Sequence, residues 1–267
     1  EDDQCKPEIA TNTAAKLVGE EVVAVVGHIC SGATKAALDI YNESKIVVIS
    51  PSATSPPLTK SGDYPNFLRT IAPDDAQAVL QVDFALNVLG SKKIAVLHDK
   101  GDYGKGLAEF AQAAIEGSSA EVVLFEGVTP GAVDYSAVIN KIAQVGADTV
   151  IYGGYHPEAA QIIGGMRAQG LDIAFIGGDG VMDATFIAVA GDDAEGVYAT
   201  APVDTTSNPI AVKASAEHQA AYGEDYGAFF LNAYSAALAI VNAIDVANST
   251  DYDAIMGALK SEYVETA

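Results

Sequence analysis

Residues 92–128 read KKIAVLHDKGDYGKGLAEFAQAAIEGSSAEVVLFEGV. Ile94–Leu97 and Val122–Phe125 are short apolar runs without polar alternation, the pattern of strands buried on both faces of a parallel sheet. Between them, Tyr103–Ile115 places apolar residues at i, i+3 and i+4, which predicts an amphipathic helix. Strand, helix, strand over this length is a βαβ unit with a right-handed crossover. The unit recurs along the chain. Val22–Val26, Ile46–Ile49, Thr149–Tyr152, Ile173–Ile176 and Val197–Thr200 are similar runs, and the seven starts lie 24, 48, 28, 27, 24 and 24 residues apart. The longest interval holds two units, with a further short strand near Phe67–Ile71.

Helical spacing also covers Ala76–Leu89, Ser136–Val145 and Glu158–Ala168. After residue 202 the pattern changes to helices, at about 209–222, 226–247 and 251–262. The expected fold class is therefore α/β, with doubly wound parallel sheets. The chain opens on a helix over about Pro7–Val18 with no strand before it, and stops at Ala267 directly after a helix. Pieces are expected to be missing at both ends, including a first strand beside Val22–Val26.

The 267 residues suggest about two domains, and a hydrophobic fraction of 49% is too high for a disordered chain. With 14 Lys+Arg against 36 Asp+Glu, the net charge is −22. That excludes nucleic acid and anionic membrane as partners, since both require a basic surface. The opening EDDQCKP has no basic or apolar signal region. Gly227 to Ile244 carries no charge and reaches the length of a membrane span. Asn232, Ser235 and Asn242 fall on one helical face, so a helix buried in a soluble domain is expected instead. Cys5 and Cys30 are the two cysteines. Without a CxxC or histidines at zinc spacing, no metal site is expected. The pair is either two free thiols or, in an exported protein, a disulfide.

Ligands of open α/β sheets bind at the carboxyl ends of strands. The loops there are Gly27–Gly32, Ser50–Pro56, His98–Gly104, Gly153–Glu158 and Gly177–Gly180. The first two supply hydroxyls, notably Ser31, Ser52 and Thr54. The next two supply Tyr103 and Tyr155, and the last supplies one carboxylate, Asp179. Hydroxyls and helix N-termini attract an anion, a carboxylate attracts a cation, and tyrosines give an apolar wall with a polar tip. That inventory suits a zwitterion such as an α-amino acid. The plainer reading makes Ser31 and Thr54 helix N-caps and Asp179 a turn residue. Enzyme motifs are weak. His28 and Cys30 need not meet, His98 and His156 are expected to hydrogen-bond locally, and Gly101–Gly106 lacks the Ser/Thr of a phosphate loop.

At these loops the sequence resembles the periplasmic leucine/isoleucine/valine-binding proteins of ABC transporters. The matching stretches are Val26–Ser31, Ser50–Thr54, His98–Lys100 with Tyr103–Leu107, Tyr152–Glu158 and Ala194–Gly196. The resemblance implies a type I periplasmic binding fold, in which two lobes joined by a three-strand hinge trap ligand between them. One lobe would comprise 1–71 and 203–267, the other 72–202. It further implies that Ser31 and Thr54 hold the ligand carboxylate and that Ser52 offers its backbone carbonyl to the ammonium. Tyr103 and Tyr155 would line the other lobe, Asp179 would bind the ammonium, and Cys5 and Cys30 would form a disulfide. The family usually carries Glu where Asp179 stands. Its members also have a leading strand, helix and strand, whose first loop brings an aromatic residue to the ligand side chain, and further strands at the end.

The function this resemblance implies is a non-enzymatic, exported, monomeric solute-binding protein of the periplasm. It would capture an aliphatic amino acid without any cofactor and deliver it to an ABC permease. The alternative is a ligand-sensing domain of a receptor or regulator with the same fold. The acidic charge and the lack of a helix-turn-helix count against a repressor.

Overall fold

The structure, a computed structural model, describes residues 1–261 and 266–267. In chain order its elements are α1 (Pro7–Gly19), β1 (Ala24–Val26), α2 (Ser31–Glu43), β2 (Val47–Ser50), α3 (Pro57–Lys60), β3 (Phe67–Arg69) and α4 (Asp74–Phe84). There follow β4 (Lys93–His98), α5 (Asp102–Glu116), β5 (Glu121–Gly127), α6 (Ser136–Val145), β6 (Thr149–Gly153) and α7 (His156–Ala168). The chain continues through β7 (Ala174–Gly177), α8 (Ala184–Ala190), β8 (Val197–Ala199), α9 (Pro209–Tyr222), α10 (Phe230–Ala247) and α11 (Tyr252–Ser261). They form two compact units, one of residues 1–72 and 202–267, the other of 73–201. Every strand pair is parallel.

The second unit shows why its strands read as unbroken apolar runs. Its sheet has the order β5-β4-β6-β7-β8. Successive side chains of a strand point to opposite faces. Ala95 and Leu97 of β4, with Val150 and Tyr152 of β6, pack on Ile139 and Ile142 of α6 and Ile162, Ile163 and Met166 of α7. Ile94, Val96 and Ile151 face the other way, onto Ala78 and Val82 of α4 and Leu107, Ala111 and Ile115 of α5. With both faces covered, polar residues are excluded from the middle of these strands. The edge strands differ from expectation. β5 is at most half-buried, and two of the three β8 residues are exposed, because an edge position leaves part of each strand uncovered.

The helix expected over Ala76–Leu89 begins at Asp74 and widens into a π-helical turn over Ala85–Leu89. Gly90 ends it in the left-handed region at φ 71°. The Ser91 N–H then reaches back to the Ala85 carbonyl at 2.9 Å, satisfying a helix-end acceptor. The helix expected from 226 starts at Phe230, while residue 262, the expected end of α11, lies outside the described residues. α8 had no periodic signal because it has only seven residues, of which Phe186 alone is buried.

In the first unit the sheet order is β1-β2-β3. All four residues of β2 are buried. Val47 and Ile49 pack on Ala236, Ile240 and Ala243 of α10 and on Ile255 and Met256 of α11. α10 corrects the expectation of a buried helix. Ser235, Ala236, Ile240 and Ala243 are its buried residues, whereas Val241 and Val246 are exposed. Its length and composition would also suit a membrane span. A three-stranded sheet covers one stripe of this helix and leaves the opposite stripe open.

Cys5 and Cys30 form a disulfide with Cα atoms 5.3 Å apart. Beside it, His28 bonds through Nδ1 to the Asp3 carboxylate and through Nε2 to the Tyr41 hydroxyl, at 3.1 Å in the latter case. The segment before α1 is thereby tied to the loop after β1. Closing a loop of about 26 residues is worth about 3.5 kcal/mol on the loop-entropy model. Intact mass without reductant is expected about 2 Da below the reduced value, since two thiol hydrogens are lost. Replacing both cysteines with serine should lower the denaturation midpoint in urea and raise the m-value slightly, because the unfolded chain without the cross-link exposes more surface.

Candidate ligand-binding site

In the first unit the loops after β1 and β2 are laced together by hydroxyls. Ser50 Oγ donates to the His28 carbonyl and accepts the Ala53 N–H at 2.9 Å. Ser52 Oγ donates to the Ile29 carbonyl at 2.9 Å. Ser31 Oγ accepts the Ser55 N–H at 3.2 Å. The N-cap of α2 is Cys30, so Ser31 is the first helical residue and is not the cap. Its hydroxyl crosses to the neighbouring loop. Nor does Thr54 cap a helix, since Pro56 stands at the N-cap of α3.

Thr54 is fully buried, and its hydroxyl has no hydrogen-bond partner among the described residues. Buried hydroxyls are nearly always bonded, so such an atom points to a missing acceptor or donor. Ser31, Ser52 and Thr54 thus belong to one hydroxyl-bearing loop pair. The sequence reading missed the residue that holds it. Arg69 Nη1 donates to the carbonyls of Ala53, at 2.9 Å, and Ser55, at 3.0 Å, while Nη2 donates to the Thr59 hydroxyl. Its position at the end of β3, beside the other two strand ends, was the available signal.

In the second unit, β4 leads to β5 on one side and β6 lies on its other side, so the strand order reverses there. The loops after β4, β6 and β7 meet at this switch point. The meeting requires glycine. A Cβ on Gly104 would strike the Gly153 carbonyl, and one on Gly180 would lie 2.9 Å from the Tyr103 ring and 3.1 Å from the Tyr155 ring. The two tyrosine rings are 5.2 Å apart. The Tyr103 hydroxyl donates to Asp179 Oδ1 at 2.6 Å and accepts the Gly180 N–H at 3.1 Å. The structure therefore brings Tyr103, Tyr155 and Asp179 together.

Both partners of that bond are buried. Burial raises the Asp179 carboxyl above the ordinary carboxylate range, opposed by side-chain bonds from Tyr103 and Gln77. Burial also raises the Tyr103 phenol well above its ordinary value, and the charges of Asp179 and Asp74 push it the same way. The hydroxyl is thus the donor and the carboxyl the acceptor. Asp179 opens a 3₁₀ turn, Asp179–Val181.

His98 is engaged in a local hydrogen bond. Its Nδ1 accepts the Lys100 N–H at 3.0 Å, and burial lowers its pKa. Among the described residues, no group of three His, Cys, Asp or Glu side chains converges as a metal ligand set.

A sequence profile described as Periplasmic binding protein matches residues 1–266. The chain belongs to this family. A Pseudomonas aeruginosa member, the leucine-, isoleucine-, valine-, threonine- and alanine-binding protein, is 37% identical over 99% of this chain and 71% of its own. The Leu/Ile/Val-binding protein of Escherichia coli is 36% identical over the same shares. Among solved structures, a leucine-binding protein from Thermotoga maritima superposes with a TM-score of 0.91 at 27% identity, covering 97% of this chain and 74% of that one. A branched-chain amino-acid substrate-binding protein from Streptococcus pneumoniae, solved with isoleucine, gives 0.87 at 27% identity and the same coverage. The two parallel α/β units are therefore those of a type I periplasmic binding protein.

Asp99, at the end of β4, is buried, accepts the Gly101 N–H at 2.7 Å, and has its pKa raised to about 6 chiefly by burial. Its protonated form is favoured in the fold. The native state therefore holds more protons than the unfolded chain between the ordinary value of 3.8 and about 6, and this group's contribution to stability falls as pH rises through that window. Asp99→Asn keeps the carbonyl acceptor and removes the charge. It is expected to be more stable than the wild type at pH 7.5, with the difference shrinking toward pH 4, as measured by urea denaturation at both ends.

Proposed function

We propose that this periplasmic binding protein captures a small aliphatic amino acid of the leucine, isoleucine and valine class and delivers it to an ABC permease. The observation that carries the reading is a buried carboxylate, Asp179, held by a phenol among three converging loops. A carboxylate kept out of water in this way suits an ammonium group, because charge-assisted bonds offset the desolvation of both partners. Tyr103 occupies Oδ1, so Oδ2 is the oxygen assigned to the ammonium. Tyr155 and the Tyr103 ring supply apolar wall.

The ligand carboxylate is assigned to Ser31 and Thr54 in the first unit, and Ser52 offers its carbonyl to the ammonium. The unbonded Thr54 hydroxyl supports this assignment. Residues 1–71 with 203–267, and 72–202, act as the two ligand-holding lobes. The relatives named for leucine, isoleucine and valine support the choice of side chain. The protein acts without catalysis, as an exported monomer. Asp179 is one methylene shorter than the family's Glu, which favours smaller side chains, valine over leucine.

Calorimetry against valine, leucine, isoleucine and alanine tests the reading. Asp179→Ala is expected to weaken binding by on the order of 3–5 kcal/mol, the usual effect of stripping one partner from a buried ion pair. Asp179→Asn should lose most of the same affinity. Thr54→Val, which keeps the shape and deletes the hydroxyl, should lose on the order of 1.5–3 kcal/mol, the value of a hydrogen bond to a charged group. Unchanged affinity in Asp179→Asn would remove Asp179 from the site.

A further inference from the structure

Beside Asp179, one amide of α4 ties its own helix to two other segments of the second unit. Gln77 is nearly buried. Its Oε1 accepts the Asp179 N–H at 2.7 Å and also the Thr200 hydroxyl. Its Nε2 donates to Asp74 Oδ1 at 3.1 Å. Asp74 is fully buried at the start of the same helix, and the three-residue spacing puts it on the face of Gln77.

We propose that Gln77 is a positioning residue for the ammonium-binding carboxylate of Asp179, with its amide orientation locked by Asp74. The inference rests on the amino-acid reading above.

The locking follows from donor and acceptor types. Asp179 N–H needs an acceptor, and Asp74 offers a carboxylate that needs a donor. A side-chain amide has one oxygen and one NH₂, so only one of its two orientations serves both. The flipped amide would set Oε1 against the Asp74 carboxylate and NH₂ against the Asp179 N–H. Thr200, at the end of the sheet, donates to the same Oε1 and reinforces the choice. The Asp179 backbone is thus pinned through Gln77 while its carboxylate is pinned through Tyr103.

Asp179 then has little freedom to rotate or retreat. This matters more for Asp than for Glu, because a shorter arm cannot compensate for a displaced backbone. The titratable groups facing this cluster are Tyr103 on α5 and Asp74 on α4, and burial with the charges of Asp179 and Asp74 keeps the Tyr103 phenol protonated as a donor. The bonds from Gln77 and Tyr103 favour the charged form of Asp179, against burial. Loss of Gln77 should therefore raise the pH below which ligand affinity falls.

Gln77→Met, Asp179→Asn and the double variant are to be titrated with leucine and valine by calorimetry between pH 5 and 8. Gln77→Met should weaken binding about 10-fold, the effect of losing about 1.4 kcal/mol, and its acidic limb should move to higher pH. In the Asp179→Asn background the same change should have little further effect, because the two residues act as one unit. Asp74→Leu, which keeps similar shape and deletes the acceptor for Gln77 Nε2, should show the same coupling at smaller size, and it serves if Gln77→Met fails to fold. A Gln77→Met or Asp74→Leu loss that is equal in both backgrounds, with an unmoved acidic limb, assigns these residues a structural role and overturns the inference alone. A folded wild type that binds none of the aliphatic amino acids overturns the reading on which it rests.

Discussion

Both faces of β4 and β6 are covered by helices, and that constraint governs where chemistry can sit in the second unit. A polar side chain in the middle of either strand would lose its water between two apolar layers. The strand ends are different. There the backbone leaves the sheet, helix N-termini offer N–H groups, and glycines allow loops to close on one another. Gly104 against Gly153 is the clearest instance, because a methyl on either would overlap the other's backbone. The Tyr103–Tyr155 contact and the Tyr103–Asp179 bond exist because α5 can approach β6 that closely. The site is a consequence of how the sheet is covered.

Much of this was legible in the sequence because parallel strands and their helices carry strong periodic signals. The strand cores Ile94–Leu97 and Thr149–Tyr152 fall inside β4 and β6, and α6 spans Ser136–Val145 as read. Each candidate residue also sits at a strand end, where a loop of unusual composition marks it. What the sequence could not show were relations across large separations. Gln77 contacts Asp179 over 102 positions and Thr200 over 123, and no local pattern encodes either pairing. Arg69 reads as the end of a strand, and its grip on Ala53 and Ser55 depends on the register of β3 with β2. Burial of α10 was misjudged for a related reason. Apolar composition reports what a helix can bury, while the width of the sheet beneath it decides what is covered.

Several buried acids of the second unit are held by neutral donors. Asp99 is met by the Gly101 N–H, Glu158 by the Gly131 N–H and Asp179 by the Tyr103 phenol. Neutral donors stabilise a carboxylate without cancelling its charge. Burial accordingly dominates at Asp99 and Asp179, and both carboxyls are raised. A lysine beside Asp179 would have stabilised it in the unliganded protein and then competed with any ammonium for the same oxygen.

The same reasoning applies with opposite sign in the first unit. A ligand carboxylate approaching a chain of net charge −22 meets an unfavourable field. The groups assigned to receive it are hydroxyls, and the nearby cation, Arg69, is turned to backbone carbonyls of their loop. In a trans peptide the C=O and the following N–H point in opposite directions. Drawing the Ala53 carbonyl toward Arg69 therefore turns the Thr54 N–H away from the guanidinium. Arg69 contributes through the orientation of the loop it holds, and its charge offsets part of the surrounding negative field. A fixed cation in direct contact would admit any anion of suitable size. The hydroxyls proposed for the ligand carboxylate and the Asp179 carboxylate proposed for its ammonium are together complementary to a zwitterion.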